Sequence, residues 1–156
     1  MERYIVDTNI AVHYARNGKV WAYIEEHYFP KGLKNRLVLS FAAKTEAISF
    51  SKANNWGARK IGRLQHLFKQ AEIIHSNHYK LSDAYVNIDL YSRNKHKSLR
   101  LPSTYTARNM GKNDIWIAST AMALKHPLIS TDKDFEHLDG VFIDLIYIDV
   151  EVIMRG

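Results

Sequence analysis

The sequence predicts an α/β fold in which a parallel sheet is covered by helices on both faces. Three observations lead there. Short apolar runs recur at Tyr4-Ile5-Val6, Leu37-Val38-Leu39-Ser40, Glu72-Ile73-Ile74-His75, Pro127-Leu128-Ile129-Ser130 and within residues 142–148. Longer segments with apolar residues at helical spacing lie between them. Most of these runs are apolar throughout rather than alternating, as expected of strands buried on both sides. No internal repeat, low-complexity tract or linker interrupts the 156 residues, so residues 1–156 are expected to form one domain.

The elements follow in order. Arg3-Tyr4-Ile5-Val6-Asp7 reads as a short buried strand, with Thr8 or Asn9 placed to cap the helix through Ile10, Val12, Tyr14 and Ala15. A second helix carries Val20, Trp21, Tyr23 and Ile24 until Pro30 and Gly32 break it. Ser40 ends the second strand and can cap a helix bearing Glu46, which stops at Asn54, Asn55 and Gly57. Ile61, Leu64, Leu67 and Phe68 mark the next helix, and Leu81, Ala84, Tyr85, Ile88 and Tyr91 another beyond the third strand. Residues 93–112 are polar, basic and irregular, with Pro102 and Gly111. Asn113 or Asp114 starts the following helix, which leads to the fourth strand, a turn at Asp132-Lys133-Asp134-Phe135 and the fifth strand.

Composition narrows the function. The chain has no Cys, which excludes disulfides, thiolate metal sites and cysteine catalysis and fits a reducing cytoplasm. No apolar run approaches the roughly 20 residues that span a membrane, and the N-terminus resembles neither a signal nor a transit peptide. A formal net charge of +6 makes a polyanion such as nucleic acid a reasonable partner. The eight His residues show no metal-binding spacing, and no glycine-rich phosphate loop is present.

Four acids stand on segments that otherwise favour burial. Asp7 ends the first strand, and Glu46 shares a helix face with Ala42, Ala43 and Phe50, a face expected to meet the sheet. Asp114 is in line with Ile117, Ala118 and Ala121, and Asp132 follows the fourth strand. Each has an ordinary explanation: a turn residue for Asp7 and Asp132, a helix-start acid for Asp114, a salt-bridged or edge position for Glu46. Taken together those explanations require four coincidences. If the four converge, they repel, and must take protons, recruit cationic side chains or bind metal. Oxygen donors alone favour Mg²⁺ or Mn²⁺ over Zn²⁺. Such ions can activate a water and clamp a phosphoryl group in an in-line displacement.

On these residues the sequence resembles the PIN-domain nucleases, most closely the VapC-type toxins of toxin–antitoxin pairs. The likeness is carried by Ile5-Val6-Asp7-Thr8-Asn9, by the helix with Glu46, by residues 111–121 around Asp114, and by Leu128-Ile129-Ser130-Thr131-Asp132-Lys133-Asp134-Phe135. It runs over nearly the whole chain. It implies an α/β/α sandwich on a five-stranded parallel sheet and metal-dependent cleavage of RNA. Asp7, Glu46, Asp114 and Asp132 would hold Mg²⁺ or Mn²⁺, with Asp134 the reserve for the fourth position. Thr8, Asn9 and Thr131 would support the pocket. The resemblance also implies a homodimer and a small antitoxin partner. Residues 51–112 match nothing specific and are somewhat long for the family, which leaves substrate choice open.

Arg93, Lys95, Lys97, Arg100, Arg108 and Lys112 crowd the approach to Asp114; of these, Arg100, Arg108 and Lys112 are candidates for RNA phosphate contacts. Arg59, Lys60, Arg63 and Lys69 read better as a solvated face, and Tyr105 as a packed residue rather than a base-stacking one. Two alternatives remain beside a metal-dependent ribonuclease. A catalytically silent RNA-binding or scaffold protein would bind RNA without cutting it. A phosphatase of the haloacid-dehalogenase type also begins with a strand-end Asp, but needs a second Asp two residues on, where this chain has Asn9.

Overall fold

The computed structural model describes residues 2–156. Its five strands are β1 (Tyr4–Val6), β2 (Leu37–Ser40), β3 (Glu72–Ile74), β4 (Leu128–Ser130) and β5 (Leu145–Tyr147). They form one parallel sheet in the order β3-β2-β1-β4-β5. The helices are α1 (Thr8–Arg16), α2 (Lys19–Tyr28), α3 (Phe41–Ala53), α4 (Ala58–Gln70), α5 (Leu81–Ser92), α6 (Lys112–Leu124) and α7 (Val150–Arg155). Helix α1 packs on both α3 and α4, and α5 pairs with α6. Right-handed crossovers put these two groups on opposite faces of the sheet. The three-layer α/β/α arrangement expected of the sequence is therefore the one found.

Burial explains the strand composition. Ile5, Val6, Leu37, Val38, Leu39, Leu128 and Ile129 are all fully enclosed, so consecutive residues on these strands need apolar side chains on both faces. Trp21 packs edge-on to Tyr14 and stacks on Phe29, which closes the core beneath α1 and α2. No helix of the described residues is long and apolar enough to cross a membrane.

The chain moves from β1 outward to β2 and β3, then returns across the sheet to β4 and β5. The order reverses between β1 and β4. At such a reversal the flanking connections leave in opposite directions, and a crevice opens beyond the carboxyl ends of the strands. Asp7 and Asp132 both emerge there.

Several local expectations are corrected. The cap of α1 is Asp7 itself, whose Oδ1 accepts from the Ile10 N–H at 3.0 Å, rather than Thr8 or Asn9. Ser40 caps α3 as expected, accepting from the Ala42 N–H at 3.2 Å. Helix α6 begins at Lys112, one residue before the expected start, with Gly111 at its cap. The stretch after Asp132 is a 3-10 helix, Lys133–Leu138, that buries Phe135, His137 and Leu138. Helix α7 was not foreseen; it buries none of its residues fully and so leaves no apolar stripe to read. On α3 the enclosed residues are Ala43, Ala47 and Ser51, while Glu46 lies half-buried on the flank instead of against the sheet.

Candidate metal centre

The crevice between β1 and β4 is a cleft of about 450 Å³ lined by Asp7, Thr8, Asn9, Glu46, Ser49, Phe50, Ala53, Asp114 and Asp132. Each acid arrives on a different element. Asp7 is delivered by the end of β1, Glu46 by α3, Asp114 by the first turn of α6, and Asp132 by the exit from β4. The parallel register explains the closest approach. Val6 pairs with Ile129, so the next step sets Asp7 beside Ser130.

Ser130 is the residue that sequence reasoning missed. Fully buried, it donates its hydroxyl to Asp7 Oδ2 and accepts from the Asp132 N–H at 2.9 Å. One side chain thus fixes both strand-end acids. Its signal in the sequence was a polar residue closing an apolar strand two positions before Asp132. Thr131, the hydroxyl the resemblance pointed to, is half-buried beside it. Ser130→Ala should lower metal-dependent activity about 10- to 100-fold, as removal of an outer-shell partner does. The lost bond also favours the charged form of Asp7, so the loss should ease as pH rises. A pH–rate profile of the variant against the parent checks this; equal loss at every pH would count against it.

Asp7 is 3 % exposed, and burial pushes its carboxyl up to about 7. The bonds from Ser130 and Ile10 oppose that rise, and the charges of Asp132 and Asp114 add to it. Asp114 is raised to about 6, first by burial, then by Asp132, Glu46 and Asp134. Glu46 accepts a hydrogen bond from the Thr8 hydroxyl at 2.5 Å, which joins α3 to the start of α1. Asp132 caps the 3-10 helix through the Asp134 N–H at 2.9 Å.

Asp134 enters from the outer side. One carboxylate oxygen from each of Asp114, Asp132 and Asp134 lies within 4.8 Å of the other two. At an effective dielectric near 20, a pair of charges at that separation repels by about 3–4 kcal/mol. Asp114 and Asp132 belong to both the inner set with Asp7 and Glu46 and this outer triad. A divalent cation answers that repulsion. The donors are all hard oxygens, the four that line the cleft come from separate elements, and no Lys or Arg lines it, Arg108 reaching only Asp134 outside. The residues present therefore fit Mg²⁺ or Mn²⁺, with Asp134 able to join the set that Asp132 begins.

The other candidates separate. Asn9 is exposed at the cleft and leaves the capping of α1 to Asp7. Arg108 reaches the acids, its Nη1 donating to Asp134 Oδ1 at 3.4 Å. Lys112 is exposed at the start of α6, whereas Arg100 lines a different hollow with Asn94, His96 and Lys97. Arg63 is structural: its Nε donates to the Tyr14 carbonyl at 2.9 Å and its guanidinium covers the Tyr14 ring. Tyr105 is half-buried against His137, consistent with a packed residue.

A family model described as "PIN domain" matches residues 4–141. The chain belongs to the PIN-domain family. No curated protein matches this PIN domain. Among solved structures it is similar to VapBC-1 from nontypeable Haemophilus influenzae, at 23% identity and a TM-score of 0.66, over 92% of this chain and 96% of that one. It is also similar to VapBC2 from Rickettsia felis, solved bound to a promoter DNA fragment, at 20% identity and a TM-score of 0.68, over 94% and 98% of the two chains. VapBC-5 from Mycobacterium tuberculosis, a member of the VapBC family of toxin–antitoxin systems, matches at 17% identity and a TM-score of 0.62, over 95% and 100%. At these identities the likeness establishes the fold of the PIN domain.

Proposed function

We propose that this PIN domain is a Mg²⁺- or Mn²⁺-dependent endoribonuclease and the toxin of a type II toxin–antitoxin pair, acting on RNA in the cytoplasm. The observation that carries the reading is the meeting of Asp7, Glu46, Asp114 and Asp132 in one cleft at the reversal of the sheet. When bound there, a divalent ion supplies charge neutralisation and a water acidic enough to attack a phosphodiester in line. Asp7 and Asp114 would hold it, with Asp132 and Glu46 completing the set. Their raised carboxyls would give up protons as the cation enters. Ser130 and Thr8 would keep the acids oriented. Arg108 and Lys112 would draw the RNA backbone towards the cleft.

The toxin role is supported by the solved toxin–antitoxin structures that share the fold. An antitoxin segment carrying an Arg would pair with the same carboxylates and exclude metal. A homodimer belongs to the same reading, and the exposed Phe41, Tyr79 and Val86 offer apolar surface for a partner.

The test is to incubate the purified protein with cellular RNA, with Mg²⁺ or Mn²⁺ and with chelator, and to map the new ends. Attack by water leaves a 5′-phosphate and a 3′-hydroxyl and stops with chelator. Cyclic phosphate ends that persist in chelator would mean attack by the RNA 2′-hydroxyl and refute the reading. RNA binding without cleavage in either metal would mean a silent RNA-binding protein.

A further inference from the structure

We infer that the irregular stretch between α5 and α6 forms a second, non-catalytic phosphate subsite for the RNA backbone, built from Arg93, Lys95, Arg108 and Asn109. The inference rests on the ribonuclease reading and names where a non-scissile phosphate is held.

The stretch is irregular yet pinned. The Arg108 N–H donates to the Ser92 carbonyl at 2.8 Å, which folds residues 107–109 back beside the end of α5. The Lys95 N–H donates to the Leu90 carbonyl at 2.7 Å, and the Leu101 N–H to Asn94 Oδ1 at 3.0 Å. His96 Nδ1 accepts from the Ser98 and Leu99 N–H groups, both at 3.1 Å. Leu101 and Met110 are buried and anchor the two halves. The Ser92 hydroxyl, at the end of α5, bonds His137 Nε2 at 2.7 Å and Met110 Sδ at 3.2 Å, tying α5 to the 3-10 helix that carries Asp134 and to the end of the loop. A loop held at this many points presents its side chains in a fixed arrangement, which lowers the ordering cost of binding.

The fold-back creates a pocket of about 300 Å³ lined by Arg93, Lys95, Ala107, Arg108 and Asn109. Three of the five linings are cationic, and no acid is among them. Arg93 is braced by Asp89 at 2.9 Å. Lys95 is exposed and makes no ion pair among the described residues. Arg108 spans the gap between pocket and acids, but at 3.4 Å its bond to Asp134 is longer than an ordinary N–H···O bond, and the Asp134 side chain is 64% exposed. Such a contact contributes little and exchanges readily. A phosphodiester offers two anionic oxygens that match the guanidinium fork better than one distant carboxylate oxygen does. When a backbone phosphate takes Arg108, Asp134 keeps its place beside Asp114 and Asp132 without that cationic partner.

Binding to a fluorescein-labelled single-stranded RNA oligonucleotide, read by anisotropy in chelator, tests this. The parent carries Asp7→Asn so that the RNA stays whole. Lys95→Ala with Arg108→Ala should weaken binding roughly 10-fold and reduce the slope of log K against log salt by about 1.4, the value for two single-strand phosphate contacts. Arg108→Lys should keep part of the affinity. Lys31→Ala with Lys34→Ala removes the same charge from the loop entering β2, at the opposite end of the sheet, and should change neither quantity. With the acids intact, the pocket double variant should raise KM. Circular dichroism melting confirms that each variant folds, and the exposed Lys95→Glu gives a version that disturbs no packing.

Equal weakening by the two double variants, or none from the pocket variant, overturns the subsite. Loss of RNA binding in the pocket variant, with no cleavage by the intact protein in Mg²⁺ or Mn²⁺, would overturn the nuclease reading and leave the subsite standing. Cleavage by the intact protein, with affinity and KM unmoved in the pocket variant, would overturn the subsite alone.

Discussion

Asp7→Asn is expected to abolish metal-dependent RNA cleavage, by about 10³-fold or more, while the protein stays folded. The magnitude follows from losing a ligand to an ion that supplies several kcal/mol of transition-state stabilisation, at 1.36 kcal/mol per tenfold in rate. Retention of the fold follows from the second job of this side chain. Asp7 caps α1, and Asn caps helices as well as Asp does. The amide oxygen can still accept from the Ile10 N–H, and the amide nitrogen can donate to the Ser130 hydroxyl. Asp114→Asn should lose cleavage as severely. It removes a first-turn acid of α6 that carries no capping bond, so its structural cost is smaller still. Gel assays on a defined RNA, with melting curves for both variants, measure this. Full activity in either variant sinks the mechanism.

The second large effect is a stability that falls with pH in the absence of metal and is restored by it. Asp7 is raised from 3.8 to about 7, and Asp114 from 3.8 to about 6. A carboxyl raised on folding binds more protons folded than unfolded between those values. Its contribution is therefore fully present below about pH 4 and lost as pH rises towards 7. For enclosed Asp7 the full swing is on the order of 4 kcal/mol. His137 works against it. Its pKa is lowered from 6.5 to about 4 by burial, then by Arg108, so its contribution is present above 6.5 and lost as pH falls towards 4. His13 and His126, also lowered by burial, act in the same direction as His137, so the imidazoles offset part of the decline that the two acids impose from pH 4 to 7. The Asp7→Asn variant isolates the larger share. In chelator it should be more stable than the parent at pH 8 by about 2–4 kcal/mol and little different at pH 4. Mg²⁺ or Mn²⁺ should stabilise the parent at pH 8 and the variant much less. Urea denaturation at several pH values decides; parallel curves for parent and variant would rule the account out.

Much of this was legible in local sequence because the relevant signals are local. The strands are apolar throughout, so burial on both faces and a parallel sheet follow from composition alone. Asp114 could be placed on the inward face of its helix because Ile117, Ala118 and Ala121 share its stripe. Ser40 announced itself as a cap. Residues whose roles depend on distant partners were not legible. Ser130 matters because β4 lies beside β1, a pairing across more than a hundred residues that no periodicity reports. The bond from Arg108 to Asp134 and the one between Ser92 and His137 depend likewise on how the irregular stretch folds back. The cap at Asp7 was misread because Thr8 and Asn9 are equally good capping types, and only backbone geometry separates them. The 3-10 helix after Asp132 was missed because six residues are too few to establish a period.

The reversal of the sheet also governs when the acidic cleft can first exist. Asp7 emerges with the first strand, but Ser130, which holds its carboxylate, follows 123 residues later, with Asp132 just beyond it. A nascent chain that ends before Leu128 has no β4 to pair with β1 and hence no crevice between them. Contacts so far apart in sequence close late in folding, after the intervening helices have formed. A partly made chain therefore lacks the cleft throughout that interval. A truncation that spares Asp7, Glu46 and Asp114 would still lack the cleft, because what is missing is the strand that gathers them.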